Sequence, residues 1–418
     1  MLVQRMGWCQ VPTIGTLLSG FGAGELFQIL RDGVPRTRSE LAALTGFSRA
    51  TITTRIDELL KAGLITPVAD AVSTGGRPPA RVALNAGARL IAAADFGATH
   101  VTAALIDLNG DLLVQRRVDW DIAAGPETSL NRLADLFHEL LLEVGRTADE
   151  LIAIGIGLPG PVEHSTGRPT SPPIMPGWDG YDVPGHLRAS FDVPVLVDND
   201  VNVMALGEQS KGWPNTKDMV FVKVSTGIGS GIISGGALQR GADGSAGDIG
   251  HIAISRDEDI ICRCGNTGCL EAVAGAPAIA TALAEEGLDL GSTSELLAAV
   301  RSGDLRAMRA IREAGRNIGH VLNMCVSIVN PSLIVIGGSL SESNELLIAG
   351  MREVVYSRSM PLATQHLTIA PAKVGAEAGV IGAGMLAIEH ILSPAALEAA
   401  VSSAESSVQT SERSLAHS

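Results

Sequence analysis

Aromatic residues are scarce in this chain, with seven Phe, four Trp and two Tyr among 418 residues, whereas Gly numbers 48. Close contacts must therefore rest on small side chains, which favours a strand-turn-helix protein. Cysteines are few as well: there are five, and three of them stand together at 262, 264 and 269. That count and clustering disfavour a disulfide framework and suit a reducing compartment. No apolar run is long enough to span a bilayer, since Gly15 and Gly20 interrupt the mildly apolar stretch Val11 to Phe21. The N-terminus has no signal-peptide pattern, so a cytoplasmic location and no membrane partner are expected. Positive charge is in deficit, with 31 Lys and Arg against 45 Asp and Glu, a net charge of -14. Taken as an average, that balance argues against nucleic-acid binding. The hydrophobic fraction of 46% excludes wholesale disorder, and the length allows two or three domains.

The charge is uneven. Residues 1–86 hold nine Lys or Arg and six Asp or Glu, and the remainder holds 22 against 39. A basic module on an acidic body is the natural reading. Within that module Gly24 to Asp32 has helical spacing, and Gly33 ends it. Ser39 is a candidate N-cap for a helix carrying Leu41, Ala42 and Leu44, stopped by Gly46. Ser48 caps a second helix with Ile52, Ile56, Leu59 and Leu60 on one face. Two such helices form a helix-turn-helix whose second helix meets base edges through Ser48, Arg49, Thr51, Thr53 and Thr54. Strands Leu64 to Val68 and Arg81 to Leu84 would make a wing, its tip offering Arg77 and Arg81 to phosphates or a minor groove. A three-helix interaction domain is the alternative for this region.

From Leu90 the pattern is strand, turn at Asp95 to His100, strand, and a hairpin at Asn109-Gly110. About 130 residues later MVFVKVSTGIGSGIISGGAL repeats it, with a turn over Ser225 to Gly231. A repeat at this spacing suggests two similar lobes facing a cleft. Backbone N–H groups of either turn could meet a phosphate, Asp95 could hold magnesium through water, and Thr99 could reach a phosphate oxygen. Gly227, Gly229 and Gly231 would allow close approach of a nucleotide. Between the repeats a buried strand, Val193 to Val197, runs into Asp198-Asn199-Asp200 and a helix over Val201 to Glu208. Polar groups at the C-terminal end of a buried strand sit where open α/β sheets bind ligands. Asp200 could accept a proton from a hydroxyl, with Asn199 bonded beside it; simple helix capping is the competing role.

Cys262, Cys264 and Cys269 lie within reach of His251, with Asp248 and Glu271 flanking. Three thiolates and an imidazole make a closed tetrahedral set suited to structural zinc. Reduced, partly buried cysteines without metal are the alternative.

The segments DFGATH, GIGLPGPV, PPIMPGW, VDNDVN, STGIGSG, GDIGHI and CRCGNTGCLE together resemble the ROK family of repressors, open reading frames and kinases, over about Gly24 to Ile391. With a helix-turn-helix in front, the chain is similar to the repressor branch. The resemblance implies an α/β fold in which a winged helix-turn-helix precedes a two-lobed, actin-like sugar-kinase domain. It implies sugar binding by Asn199, Asp200, Asp248, His251 and Glu271, with Asp200 as base if the chain is a kinase. His251 would serve zinc and sugar through its two nitrogens. Asp95, Gly97, Thr99, Gly227, Gly229, Gly337 and Gly338 would line a nucleotide site. Two departures stand out: Ala98 replaces the second glycine of D-x-G-G-T, which speaks against ATP and magnesium, and Asp248 replaces a glutamate, which bears on the sugar.

Elsewhere, Glu295 to Val329 reads as helical with Cys325 in the core, Pro331 to Gly338 as a buried strand, and Ala376 to Ile391 as a closing helix. Boundaries are expected at 1–86, 87–393 and 394–418, the last a disordered tail. The function expected is a sugar-responsive regulator of carbohydrate genes that binds operator DNA as a homodimer or homotetramer. An ATP-dependent sugar kinase with an attached DNA-binding domain is the alternative.

Overall fold

A computed structural model describes residues 22–68, 80–255 and 260–397. The described residues divide into two compact units: 22–68, 80–89, 107–109 and 388–397 make the first, and 90–106, 110–255 and 260–387 the second.

In the first unit α1 (Ala23–Leu30) buries Leu26, Phe27 and Leu30. Strand β1 (Arg36–Thr37) leads into α2 (Arg38–Thr45). The cap of α2 is Thr37, not the expected Ser39: its hydroxyl accepts from Glu40 N–H while the Glu40 carboxylate accepts from Thr37 N–H. A glutamate three residues on makes this reciprocal pairing available to Thr37, so the helix starts earlier. Gly46, at φ 75°, ends it. Leu44, expected on the apolar face, is 62% exposed, because a two-turn helix buries one edge and Leu41 takes it. Helix α3 (Arg49–Lys61) is capped by Ser48 and buries Ile52, Ile56 and Leu59, as the spacing predicts, while Leu60 is half-buried. Strands β2 (Ile65–Val68) and β3 (Arg81–Leu84) pair antiparallel, with β1 on the far side of β3. The C-terminal residues 388–397 belong here too. The Gln28 amide donates to the Leu392 carbonyl, residues 394–397 are helical and Leu397 is buried. The disordered tail expected from residue 394 therefore does not begin before 398, because Leu397 finds apolar cover; residues 398–418 lie outside the described residues.

The second unit is built twice over. Strands β4 (Leu90–Phe96), β5 (His100–Ile106), β6 (Leu112–Asp119), β7 (Leu151–Leu158) and β10 (Val195–Asn199) form one sheet in the order β10-β7-β4-β5-β6; the short pair β8 (Val162–Glu163) and β9 (Arg168–Pro169) lies outside it. Strands β11 (Met219–Val224), β12 (Ile228–Ser234), β13 (Ala237–Gln239), β14 (Leu333–Gly337) and β15 (Thr368–Pro371) form the other in the order β13-β12-β11-β14-β15. In each sheet the central strand pairs antiparallel with the next strand in sequence and parallel with a later one. The repeat legible in the sequence is thus a repeat of sheet plan.

Helix α4 (Pro126–Glu143) covers the first sheet with Leu130, Leu133, Phe137 and Leu140. The few aromatics concentrate there: the Phe96 ring stands edge-on to Trp120 and Trp178, with centroids 6.3 and 6.1 Å away. Helix α5 (Asp200–Gly207) follows β10 directly, and α6 (Leu270–Ala274) follows Cys269. The expected helical run Glu295 to Val329 is two helices, α7 (Thr293–Arg301) and α8 (Leu305–Val329). The break falls at Gly303, φ 84°, where Asp304 caps the second helix through the N–H groups of Arg306 and Ala307. Cys325 is buried in the second core, beside α9 (Asn344–Arg358). The closing helix is α10 (Ala378–Ile391). Among the described residues no helix is long and apolar enough to cross a membrane.

Candidate functional site

The C-terminal ends of β4, β10 and β11 bring three charged side chains together. Asn199 ends β10 and caps α5, its side-chain oxygen accepting from Val201 N–H at 2.9 Å and from Asn202 N–H at 3.3 Å. Its amide donates to the Gly160 carbonyl (3.0 Å) and to Asp200 Oδ1 (3.2 Å). The capping role and the polar site role thus coexist in one residue. Asp200, 5% exposed, accepts Val201 N–H on Oδ1 and the Lys223 ammonium on Oδ2 at 2.5 Å. Asp95 lies alongside, with Oδ1 sealed and accepting no hydrogen bond. Burial, then the Asp200 charge, pushes its carboxyl up to about 7, against the opposing pull of Lys223 and Arg117. Burial works against the Lys223 charge, yet Asp200 and Asp95 hold its pKa above the ordinary lysine value.

Lys223 was not among the residues singled out from sequence. Its signal was there: one charged residue in the otherwise apolar strand MVFVKV. A second omission is Arg240, whose Nε donates to the buried Asp198 at 2.6 Å.

The two turns differ from expectation. Ser225 to Gly227 alone form the second turn; Gly229 and Gly231 lie inside β12, because the alternation of that strand resumes at Ile228. A Cβ on Gly231 would sit 2.5 Å from the Ala205 methyl, and one on Gly229 would sit 3.0 Å from Val201. Helix α5 thus packs against both glycines. At the first turn Gly97 N–H is engaged by the His100 carbonyl at 2.8 Å, and the His100 ring lies over Gly97. The carbonyls of Thr99 and Ala98 accept from Trp120 and Ile122. Gly337 ends β14, and Gly338, at φ 87°, turns the chain beside the Val224 carbonyl.

Glu271 lies in the first turn of α6, and its carboxylate accepts from Ile228 N–H at 3.2 Å, beside Gly227. The loop before it holds the cysteines. Ligand atoms of His251, Cys262, Cys264 and Cys269 all lie within 4.8 Å of one another, so the cluster could hold a metal ion. His251 Nδ1 is 3.5 Å from Cys262 Sγ, and the Cys264 and Cys269 sulfurs are 3.8 Å apart. Gly268, φ 69°, passes close to the Ser255 carbonyl where a side chain would clash. Burial and the neighbouring thiols push the Cys269 thiol up to about 12, a cost that a bound cation would relieve. Asp248 stands exposed ahead of the turn 249–251 and makes no capping bond.

On α3, Ser48, Arg49 and Thr54 are exposed and Thr51 and Thr53 half-buried. Thr53 and Thr54 donate back to the carbonyls of Arg49 and Ala50 at 2.8 and 3.2 Å. Their hydroxyls are committed within the helix, leaving Arg49 as the long polar side chain of the first turn. Arg81 is half-buried on β3; Arg77 lies outside the described residues.

Comparison with known proteins adds an independent line. A family model described as the ROK family matches residues 91–390, and one described as winged helix-turn-helix DNA-binding matches residues 26–66. The chain is similar to the xylose repressor of Caldicellulosiruptor bescii, at 29% identity over 90% of this chain and 98% of that protein. It is also similar to the glucokinase of Halalkalibacterium halodurans, at 30% identity over 70% of this chain and 93% of that one. Among solved structures, an ROK family transcriptional regulator described as a homolog of the E. coli MLC protein superposes with a TM-score of 0.79 at 26% identity, covering 91% and 98% of the two chains.

Proposed function

We propose, for a chain that belongs to the ROK family and carries a winged helix-turn-helix in front of its ROK domain, that it is a DNA-binding repressor of carbohydrate-uptake or carbohydrate-metabolism genes whose ROK domain senses a sugar. The observation that carries this reading is the pairing of both modules in a chain that is similar to a repressor over nine-tenths of its own length and 98% of the repressor's. Residues 1–86 are assigned to DNA and residues 87–393 to the sugar. Ser48, Arg49, Thr51, Thr53, Thr54, Arg77 and Arg81 are the DNA-facing candidates, Arg49 foremost. Asn199, Asp200, Asp248, His251 and Glu271 are the sugar-binding candidates. Sugar bound among them would alter lobe closure or the geometry of a homodimer, and with it the spacing of two DNA-reading helices. A mobility-shift assay on DNA upstream of the gene, run across a sugar panel, tests this: binding should weaken steeply with salt and be relieved by one sugar class. Binding indifferent to every sugar would sink the reading.

The His251, Cys262, Cys264 and Cys269 donor set fits zinc held structurally, with no position left for a reacting water. Cys264→Ser should lower metal content and sugar response together while the helix-turn-helix stays folded, checked by metal analysis and circular dichroism. Normal sugar response after zinc loss would break that coupling.

A second reading, sugar kinase, is favoured by the similarity to glucokinases and by Asp200 at a strand end. Three features speak against magnesium and ATP: Lys223 holds Asp200, the Oδ1 atom of Asp95 is sealed and the Gly97 amide is spent. A coupled ADP-release assay over hexoses, pentoses and N-acetylated sugars, with Asp200→Asn as control, decides between the readings; turnover that the control abolishes would establish the kinase.

A further inference from the structure

Asp95 and Lys223 occupy matching positions of the two sheets. Each is the penultimate residue of its central strand. Each faces a glycine on the parallel side, Asp95 opposite Gly157 and Lys223 opposite Gly337. On the antiparallel side their partners are Thr102 and Gly229. One plan therefore delivers an acid from one lobe and an ammonium from the other, and Asp200 comes from the end of β10 to meet the ammonium.

We propose that the Lys223 ammonium is a tethered cation standing where a divalent metal would otherwise be held between Asp95 and Asp200, so that the cleft is closed to metal nucleotides and open to a sugar alone. This rests on the receptor reading above and names the residue that makes the site a receptor. Three observations carry it. The ammonium already takes Asp200 Oδ2 at 2.5 Å, and Oδ1 accepts Val201 N–H at 2.9 Å. A second cation beside it would meet a fixed positive charge a few ångströms away, in surroundings where such repulsion is weakly screened. Magnesium needs six oxygens in a near-octahedral shell. Asp95 offers that shell little: its Oδ1 is sealed and accepts no hydrogen bond, and its Oδ2 lies against Gly379, where a side chain would clash.

Manganese is the probe, added to the full-length protein with zinc saturating the cysteine cluster, and bound Mn2+ is read by electron paramagnetic resonance. Wild type and Lys223→Arg should bind Mn2+ only weakly, and no more weakly when Asp200→Asn is added. Lys223→Ser should bind it roughly a hundredfold more tightly, and Lys223→Ser combined with Asp200→Asn should lose that gain. Lys223→Gln supplies the same comparison should the serine variant fail to fold. Wild-type Mn2+ binding that Asp200→Asn abolishes would overturn the proposal, as would a folded Lys223→Ser or Lys223→Gln protein with no gain. Sugar-dependent release of DNA by wild type, measured alongside, separates the two readings. Release without metal exclusion refutes the role of Lys223 alone, and exclusion without release refutes the receptor.

Discussion

The first sheet carries Asp95 near the end of its central strand and the second carries Lys223 at the matching place, although strand order and pairing agree in both. A second matching pair differs in size: Ala104 in β5, opposite Ala93, corresponds to Gly231 in β12, opposite Phe221. Duplication preserved the backbone plan, while the side chains facing the cleft and α5 diverged. At these strand positions the two halves differ in chemistry and not in pairing.

The largest effect should come from removing the cation. Lys223→Met leaves the Asp200 carboxylate buried without its partner and should cost about 3–5 kcal/mol in denaturant unfolding at pH 8. The loss should shrink at pH 5, below the Asp95 value of about 7, where Asp95 is protonated and no longer repels Asp200; a cost independent of pH would place the role of Lys223 in packing instead.

Asp95 should act in the opposite sense. Its folded pKa of about 7 lies above the unfolded carboxylate value, so the native state binds more protons in between. Stability from this group is present below about pH 4 and is lost as pH rises toward 7. Asp95→Asn should flatten that slope and leave the protein about 2 kcal/mol or more stabler, relative to wild type, at pH 8 than at pH 4. An unchanged slope would assign it to other groups.

Smaller effects sharpen the size difference between the halves. Gly231→Val pushes a side chain into the Ala205 methyl and should cost about 1–3 kcal/mol. Ala104→Gly in the first sheet should cost about 0.5–1 kcal/mol, mostly backbone entropy. Equal costs would mean that α5 packs no more tightly on its strand than the first sheet's neighbours do on theirs.

Much of this was legible in the residues alone. Local signals carried the helix-turn-helix: Ser48 as cap, Gly46 as stop, and Ile52, Ile56 and Leu59 at helical spacing all stand as read. Where two caps competed, Thr37 prevailed over Ser39 because Glu40 could reciprocate, a choice that spacing leaves open. The glycines of STGIGSG show a second kind of ambiguity. A Gly-rich stretch signals close approach, but whether a ligand or a helix approaches depends on what the fold lays against it; for Gly229 and Gly231 it is α5.

The sequence by itself determined the parts whose partners are near in the chain: the capped helices, the duplicated strand patterns, and the His251 to Cys269 cluster, whose ligands fall within nineteen residues. Short loops close at small entropic cost, so spacing alone constrains such groups. Only the tertiary structure decided that Lys223 meets Asp200 and that the Oδ1 atom of Asp95 is sealed beside them. Those contacts join residues far apart in the chain across two separately built sheets. Their distances are set by how the sheets and α5 pack, which no local pattern of residues records.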